Sequence, residues 1–222
     1  MKNPFDIITF DCYGTLIDWE SGIVSAFQSE AARDGLTLDR DKIVAAYMVE
    51  EPSVELEGYR SYREVLAETA GCVARRCGWK LELPRRRFLA ESLPRWPVFT
   101  DANPALERLA RRFQLGILSN VDDDLLEATL RHFTVRFDLI VTAAQVRSYK
   151  PAPAHFLEAL RRASGGHLLH AAQSYFHDIV PCRNLRIPVI WINRKAEPAA
   201  TAGQRPTEEL PDLTALADLL GV

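Results

Sequence analysis

The chain has 222 residues, of which 47% are hydrophobic and 26% are charged, and its net charge is -3. This composition is typical of a globular protein, and the length fits one large domain or a core domain with a smaller insert. The mildly negative charge argues against nucleic acid as the main partner. The four cysteines form no paired CxxC set, which argues against a zinc site. We find neither a secretory signal pattern nor a run approaching the roughly 20 apolar residues of a membrane helix, so we expect no membrane partner and a cytoplasmic location.

The chain begins with an apolar, β-rich run at residues 5–10 that stops at Asp11. Such a run predicts a buried strand that ends in a polar turn. Residues 18–97 show no convincing strand pattern, and apolar residues between positions 59 and 77 recur at helical spacing. We therefore expect residues 18–97 to form an inserted α-helical cap domain, and residues 1–17 and 98–222 to form the core domain.

Further apolar runs predict the remaining buried strands. They lie at residues 114–118, 138–142, 168–172 and 187–192. Helical patterns separate them, with Asn103, Asp122 and Asp212 as predicted N-caps. Residues 203–211 are predicted to form a polar connector. Because strands alternate with helices, the sequence predicts an α/β fold with a doubly wound, mostly parallel, Rossmann-like sheet.

Polar residues follow several of these predicted strands. Asp11, the pair Ser119-Asn120 and residues 173–178 come directly after strands, and Lys150 lies in the loop after the third strand. In open α/β sheets, ligands bind beyond the carboxyl ends of the strands. A carboxylate, a hydroxyl, an amide and an ammonium group are therefore predicted to converge at one edge of the sheet.

These segments resemble the four motifs of the haloacid-dehalogenase-like hydrolases. The matching segments are DCYGTL at residues 11–16, Leu118-Ser119-Asn120, Tyr149-Lys150-Pro151 and QSYFHD at residues 173–178. They occur in the order of the family, and the resemblance covers essentially the whole chain, with residues 18–97 as the cap. The resemblance implies that Asp11 is a covalent nucleophile.

Two positions distinguish this sequence from the phosphatases of that superfamily. Tyr13 stands where phosphatases have an acid/base Asp, and a phenol with a pKa of about 10 cannot readily replace a carboxylate near neutral pH. Gln173 stands where phosphatases usually have a magnesium-binding Asp. The sequence is instead similar to the 2-haloacid dehalogenase type II branch. That resemblance implies a small anionic haloacid as substrate and metal-independent chemistry without a cofactor.

The resemblance also implies a role for each motif residue. Asp11 would attack the halogen-bearing carbon, and water would then hydrolyse the aspartyl ester. Lys150 would keep Asp11 ionised, and Thr15 would hydrogen-bond Asp11 or the developing oxyanion. Asp178 and Ser174 would orient Lys150 and the water. The positions expected at the substrate are Cys12, Tyr13, Ser119, Asn120, Arg40 and Tyr47.

The predicted cap departs from this branch in one respect. Dehalogenases of the family carry an Arg early in a cap helix, which receives the halide. Residues 42–56 contain no Arg and include Glu50, Glu51 and Glu55. Arg40, just before this stretch, is the nearest candidate for the halide-binding role.

Two alternatives therefore stay open. One is a magnesium-dependent phosphatase of small metabolites, in which Asp11 and Asp178 would hold the metal ion. The other is a catalytically silent binding protein, because a fold alone does not confer an activity. Members of the superfamily with helical caps are often dimers, so a homodimer is a further expectation.

Overall fold

The predicted apolar runs form one sheet in the computed structural model, which describes residues 4–199 and 205–222. The strands of the described residues are β1 (Ile7–Phe10), β2 (Gln114–Ser119), β3 (Leu139–Thr142), β4 (Leu168–Ala172), β5 (Val189–Ile192) and β6 (Glu208–Leu210). Their order across the sheet is β3-β2-β1-β4-β5-β6, and every neighbouring pair is parallel. This is the doubly wound α/β fold that the sequence predicts.

Strand β1 lies between β2 and β4, with Ile8 opposite Leu115 on one side and Leu169 on the other. All four of its residues are buried, as expected for a strand whose sheet is covered on both faces. The chain builds β2 and β3 on one side of β1 and then crosses to β4 on the other side. The carboxyl end of β1 is therefore a topological switch point, where ligands of open α/β sheets bind.

Strand β6 was not predicted from the sequence, which placed residues 203–211 in a connector. It has three residues, is largely exposed and, among the described strands, pairs only with β5. A short polar strand at the edge of a sheet carries no alternating apolar pattern, so its pairing depends on the neighbouring strand.

Helices account for most of the remaining described residues. The α-helices are α1 (Trp19–Ala32), α2 (Arg40–Glu55), α3 (Tyr62–Arg76), α4 (Phe88–Ser92), α5 (Ala102–Leu109), α6 (Asp123–Leu130), α7 (Ala143–Val146), α8 (Ala154–Arg162), α9 (Val180–Asn184) and α10 (Leu213–Leu219). Short 3-10 turns occupy Leu83–Arg85 and Leu93–Arg95, and a π-helical turn occupies Tyr175–Ile179. No helix in these ranges combines the length and the apolar character that crossing a membrane requires.

The chain divides into two compact units, each built from separate segments. The core unit comprises residues 1–17, 98–120 and 131–222, within the limits of the described residues, and contains the whole sheet. The helical unit comprises residues 18–97 and 121–130 and contains α1–α4 and α6. No strand occurs in residues 18–97, all of which are described.

Local capping explains where the helices of the helical unit begin. Asp18 and Asp39 accept backbone N–H groups at the starts of α1 and α2. Ser61 and Glu64 form a reciprocal capping box at the start of α3. The buried face of α3 then includes Val65, Leu66, Ala70 and Val73, the positions expected of an amphipathic helix.

Asp122 caps a different helix from the one that the sequence predicted. Its carboxylate accepts the N–H groups of Tyr62 and Arg63, both at 2.9 Å, and so caps α3 rather than its own helix α6. Arg63 also pairs with Asp124 at 2.5 Å. These contacts place residues 121–130 in the helical unit, although the sequence assigned them to the core.

Helix α5 starts earlier than the sequence predicted. Asn103 was predicted to be its N-cap, but the helix already begins at Ala102. The Asn103 side chain instead donates to the C=O of His132 at 3.0 Å and accepts the N–H of Thr134 at 3.3 Å. At the other end of the core unit, Asp212 caps α10 as predicted, with its carboxylate 2.8 Å from the backbone nitrogen of Ala215.

Candidate active site

The carboxyl ends of three neighbouring strands carry residues of the predicted site. Asp11 directly follows β1, Ser119 is the last residue of β2, and Gln173 directly follows β4. Because the three strands are adjacent and parallel, these residues lie at one edge of the sheet, at its switch point.

A tight turn follows Asp11. The backbone N–H groups of Leu16 and Ile17 donate to the C=O of Cys12 at 2.8 and 3.0 Å. Gly14 has a φ of 104°, a conformation that residues with a Cβ atom rarely adopt. The glycine of the DCYGTL segment is therefore required by the backbone that follows Asp11.

The ammonium group of Lys150 joins two carboxylates. Its Nζ donates to Oδ1 of Asp11 at 2.8 Å, to Oδ1 of Asp178 at 2.6 Å and to the C=O of Leu118 at 3.0 Å. These contacts use all three N–H groups of the ammonium. The side chains of Lys150 and Asp178 are each 1% exposed, whereas that of Asp11 is 11% exposed. Asp11 is therefore the more exposed carboxylate of this pair.

Burial and charge pairing together set the protonation of these groups. Burial raises the pKa of Asp11, while Lys150 and Thr15 act in the opposite direction. Burial also disfavours the charge on Asp178, but Lys150 and a neighbouring histidine hold the pKa of Asp178 well below its usual range. Desolvation opposes the charge on Lys150, yet the two carboxylates raise the pKa of Lys150. Lys150 is therefore a cation at neutral pH and places a positive charge beside the carboxylate of Asp11.

The hydroxyl of Thr15 connects Asp11 to the loop after β4. It donates to Oδ2 of Asp11 at 3.0 Å and accepts the N–H of Gln173 at 2.9 Å. Arg194 donates to the C=O of Thr15 at 2.8 Å and makes two hydrogen bonds of 3.0 Å to Asp101. Arg194 was not predicted from the sequence. Its position just after β5 is a signal in the sequence, because ligands of open α/β sheets bind beyond the carboxyl ends of the strands.

Ser119 and Asn120 use their polar groups differently. Oγ of Ser119 is buried and has no hydrogen-bond partner among the described residues. The Asn120 amide accepts the N–H of Lys150 at 2.7 Å and donates to the C=O of Lys150 at 3.1 Å. Asn120 therefore holds the loop that carries Lys150, and the predicted contact of both residues with a substrate carboxylate stays a prediction.

The π-helical turn after β4 carries Asp178. Oγ of Ser174 accepts the N–H of His177 at 3.2 Å and lies 2.9 Å from Nδ1 of the same residue, so Ser174 caps this turn. Burial lowers the pKa of His177 to about 4, which leaves its ring neutral at neutral pH. Oδ1 of Asp178 also lies 3.0 Å from Nε2 of His170. His170 was not predicted either, although a histidine inside the apolar run LLHAA is visible in the sequence.

Two of the predicted substrate contacts lie in the turn after Asp11. Cys12 is fully buried, and burial raises the pKa of its thiol well above the usual value, so the thiol stays protonated. Tyr13 is partly exposed and its backbone forms a bridge with Ile17. The structure places both residues next to Asp11 in the chain, and their contact with a substrate stays a prediction.

The other two predicted contacts belong to the helical unit. Arg40 begins α2, and its half-exposed guanidinium lies 4.0 Å from the carboxylate of Glu20. Tyr47 is buried in the same helix, with its hydroxyl 3.3 Å from that of Tyr62. Tyr62 in turn donates to Glu51 at 3.0 Å. The roles of Arg40 and Tyr47 at a substrate also stay predictions.

Comparison with known proteins identifies the family. The family model described as "Hydrolase: haloacid dehalogenase-like hydrolase" matches residues 5–170. The chain is a haloacid dehalogenase-like hydrolase. This hydrolase is 27% identical over 221 residues to an (S)-2-haloacid dehalogenase of Pseudomonas sp. (strain YL), covering 96% of this chain and 93% of that protein. It is 26% identical over 221 residues to (S)-2-haloacid dehalogenase H-109 of Pseudomonas putida, covering 98% of both chains.

The fold of this hydrolase is also found among solved structures. It matches the L-2-haloacid dehalogenase of Xanthobacter autotrophicus, solved with chloropropionic acid covalently bound, with a TM-score of 0.83. The match covers 97% of this chain and 98% of the other at 19% sequence identity. At that identity the likeness concerns the arrangement of strands and helices.

The carboxylate oxygens beside Lys150 of this hydrolase are mostly engaged in hydrogen bonds. Magnesium requires near-octahedral coordination by oxygen ligands. Oδ1 of Asp11 and Oδ1 of Asp178 both accept from Lys150, and Oδ2 of Asp11 accepts from Thr15. Of the four carboxylate oxygens of Asp11 and Asp178, Oδ2 of Asp178 alone has no hydrogen-bond partner among the described residues. The ammonium group of Lys150 therefore supplies a positive charge between the two carboxylates.

Proposed function

We propose that this hydrolase releases halide from a small 2-haloacid through a covalent ester on Asp11. The 2.8 Å contact between Nζ of Lys150 and Oδ1 of Asp11 carries this proposal, because it pairs a reachable carboxylate with a fixed cation. The two Pseudomonas relatives, each named as an (S)-2-haloacid dehalogenase, support the same reaction.

In the first step, one carboxylate oxygen of Asp11 forms a bond to the substrate carbon that bears the halogen. The carbon–halogen bond breaks, and the halide leaves with the bonding electron pair. Halide is a weak base and needs no proton when it leaves, whereas the alkoxide of a phosphate ester does. Tyr13 is therefore compatible with dehalogenation, because a phenol with a pKa of about 10 is a poor acid at neutral pH.

In the second step, water attacks the carbonyl carbon of the aspartyl ester. Lys150 stabilises the negative charge that develops on the carbonyl oxygen, and Asp178 accepts a proton from the water. The bond between the acyl carbon and the ester oxygen breaks, which releases a 2-hydroxyacid and regenerates Asp11. Two-step covalent catalysis of this kind divides one difficult displacement into two easier ones.

We propose that both steps proceed without a metal ion or cofactor. The support is chemical: the charge beside Asp11 is supplied by Lys150, and the carboxylate oxygens that a metal ion would need already accept hydrogen bonds. The uncommitted hydroxyl of Ser119 is the group that we propose to hold the substrate carboxylate.

The test is turnover of chloroacetate and 2-chloropropionate with detection of released halide, with and without a chelator. We expect chelator-insensitive halide release that is abolished in Asp11→Asn. A single turnover in ¹⁸O-labelled water should place the label in the carboxylate of Asp11, which peptide mass spectrometry detects.

The competing functions give different results in the same experiments. Magnesium-dependent release of phosphate from generic esters, with no halide release, would replace the proposal with a phosphatase. Neither activity, with no adduct on Asp11, would indicate a silent binding protein. Halide release that persists in Asp11→Asn would disprove the covalent mechanism.

A further inference from the structure

His170 is a buried histidine that none of the four motifs contains and that the proposed mechanism does not use. It lies in β4 and is 0% exposed. Its Nε2 is 3.0 Å from Oδ1 of Asp178, and its Nδ1 is 2.9 Å from the hydroxyl of Thr9 in β1. Its ring packs edge-to-face on Phe156, with 5.4 Å between the ring centroids. His170 therefore connects the sheet interior to the carboxylate that pairs with Lys150.

The partners of the ring determine which nitrogen carries the proton. An ionised carboxylate only accepts hydrogen bonds, so Nε2 of His170 must donate to Asp178. In the neutral ring Nδ1 then accepts, and the hydroxyl of Thr9 donates to it at 2.9 Å rather than to the C=O of Leu169 at 3.4 Å. Thr9 thus fixes the tautomer in which His170 is a donor to Asp178.

The donors around Asp178 are distributed unevenly. Oδ1 accepts from both Lys150, at 2.6 Å, and His170, at 3.0 Å. Oδ2 is buried and has no hydrogen-bond partner within the part of the chain that is described. With one donor alone, the carboxylate of Asp178 could still turn while keeping that hydrogen bond. Two donors on Oδ1, which approach from different directions, hold the plane of the carboxylate in place. The second donor therefore keeps Oδ2 as the oxygen available to a water molecule.

We propose that His170 is a positioning residue for the second step: by holding Oδ1 of Asp178, it presents Oδ2 to the water that hydrolyses the ester on Asp11. This inference rests on the proposed function. The oxygen of the water bonds to the acyl carbon of Asp11, and one of its protons moves to Oδ2 of Asp178. When the ester bond breaks, that proton leaves on the hydroxyl of the product. The second water proton passes to solvent as Asp11 returns to its carboxylate form.

The proposal separates the two chemical steps. Carbon–halogen cleavage requires Asp11 and Lys150 but no proton transfer to Asp178. Loss of His170 should therefore slow hydrolysis of the ester and leave its formation nearly unchanged. A purely structural role would slow both steps together.

The decisive experiment is rapid-quench mass spectrometry of the full-length protein with 2-chloropropionate, together with measurement of halide release. For His170→Leu we expect a stoichiometric burst of halide, accumulation of the Asp11 ester and hydrolysis slowed about 100-fold, the scale of a misplaced catalytic group. His170→Gln, whose amide nitrogen can replace Nε2 as the donor, should restore most of the hydrolysis rate. The matched control is His155→Gln, at a buried histidine that contacts the C=O of Ser119 and not Asp178.

A second pair of variants guards against a folding defect in His170→Leu. Thr9→Val removes the hydroxyl that fixes the ring tautomer while keeping the shape of the side chain, and should also accumulate ester. Thr9→Ser should not. If the wild-type protein releases no halide, the proposed function fails. If it turns over and neither His170→Leu nor Thr9→Val accumulates ester, only the role of His170 is disproved.

Discussion

The side-chain amide of Asn120 hydrogen-bonds to both the N–H and the C=O of Lys150, at 2.7 and 3.1 Å. The two residues are 30 positions apart, in different segments of the core unit. Because Nζ of Lys150 has to reach Asp11 and Asp178 at once, the position of its backbone determines the geometry of the charged cluster. Asn120 therefore contributes to this cluster through its hydrogen bonds to the backbone of Lys150.

We predict that Asn120→Ala lowers kcat by about 10- to 100-fold, because displacing Lys150 by about 1 Å is enough for such a loss. KM should change much less than kcat. The measurement is steady-state halide release from 2-chloropropionate. Asn103→Ala is the matched control, since Asn103 also bonds to one backbone C=O and one N–H but at residues 132 and 134. A higher KM with unchanged kcat would show that Asn120 mainly binds substrate.

Thr15 offers a test of the second contact to Asp11. Thr15→Val keeps the shape of the side chain but removes the donor to Oδ2 of Asp11 and the acceptor for Gln173. We expect kcat to fall by about 10- to 100-fold. A hydrogen bond to a charged group contributes about 1.5–3 kcal/mol, and losing it from the transition state would slow the reaction by about that factor. Thr15→Ser should retain activity. Equal activity of the Val and Ser variants would contradict a role for this hydroxyl in catalysis.

Because of its buried position, His155 makes the free energy of unfolding depend on pH. Burial, with the charge of Lys150 acting in the same direction, lowers the pKa of His155 from 6.5 to about 3. Between these two pH values the unfolded chain binds a proton that the folded protein does not bind. The unfolding free energy contributed by this residue therefore falls as the pH decreases from 6.5 toward 3, by at most about 1.4 kcal/mol per pH unit.

Urea unfolding at pH values from about 4 to about 7 tests how the free energy of unfolding depends on pH. His155→Gln keeps a donor for the C=O of Ser119 but does not titrate, so its stability should decrease less steeply in acid than that of the wild type. His132→Gln is the control, because His132 is exposed. Parallel stability profiles for His155→Gln and the wild type would refute the assignment.

Asp122 provides a test of stability in the helical unit. Asp122→Ala removes the acceptor of the Tyr62 and Arg63 N–H groups at the start of α3. We expect the free energy of unfolding to decrease by about 1–2 kcal/mol, the usual cost of losing a helix cap. Glu127→Gln, at an exposed position of α6, should change it by less than about 0.5 kcal/mol. Chemical denaturation of the three proteins measures both values, and equal stabilities would contradict the capping role.

The parts of the site that follow the strands were predictable from the sequence. Asp11 and Lys150 are 139 positions apart, yet each comes after a recognisable apolar run, and the sheet brings their side chains to 2.8 Å. The rule that connects strand ends to one edge of the sheet needs no knowledge of side-chain partners. This is why the sequence alone could place Asp11 and the ammonium group of Lys150 together.

The supporting contacts were not predictable in the same way. The bonds from Arg194 to Asp101 and Thr15, and from His170 to Asp178, depend on which residues face each other once the sheet has formed. Local hydrophobic patterns carry no information about such pairs. The assignment of residues 121–130 was wrong for the same reason, because it depended on a carboxylate that caps a helix 60 positions earlier in the chain.

The capping of α3 by Asp122 has a consequence for protein engineering. A chimera that exchanges only residues 18–97 with those of another protein would separate the first turn of α3 from the carboxylate that completes it. Residues 121–130 should therefore be transplanted with residues 18–97 as a single cassette. Conversely, a mutant library that varies α6 would alter the helical unit and leave the strands of the core unit unchanged.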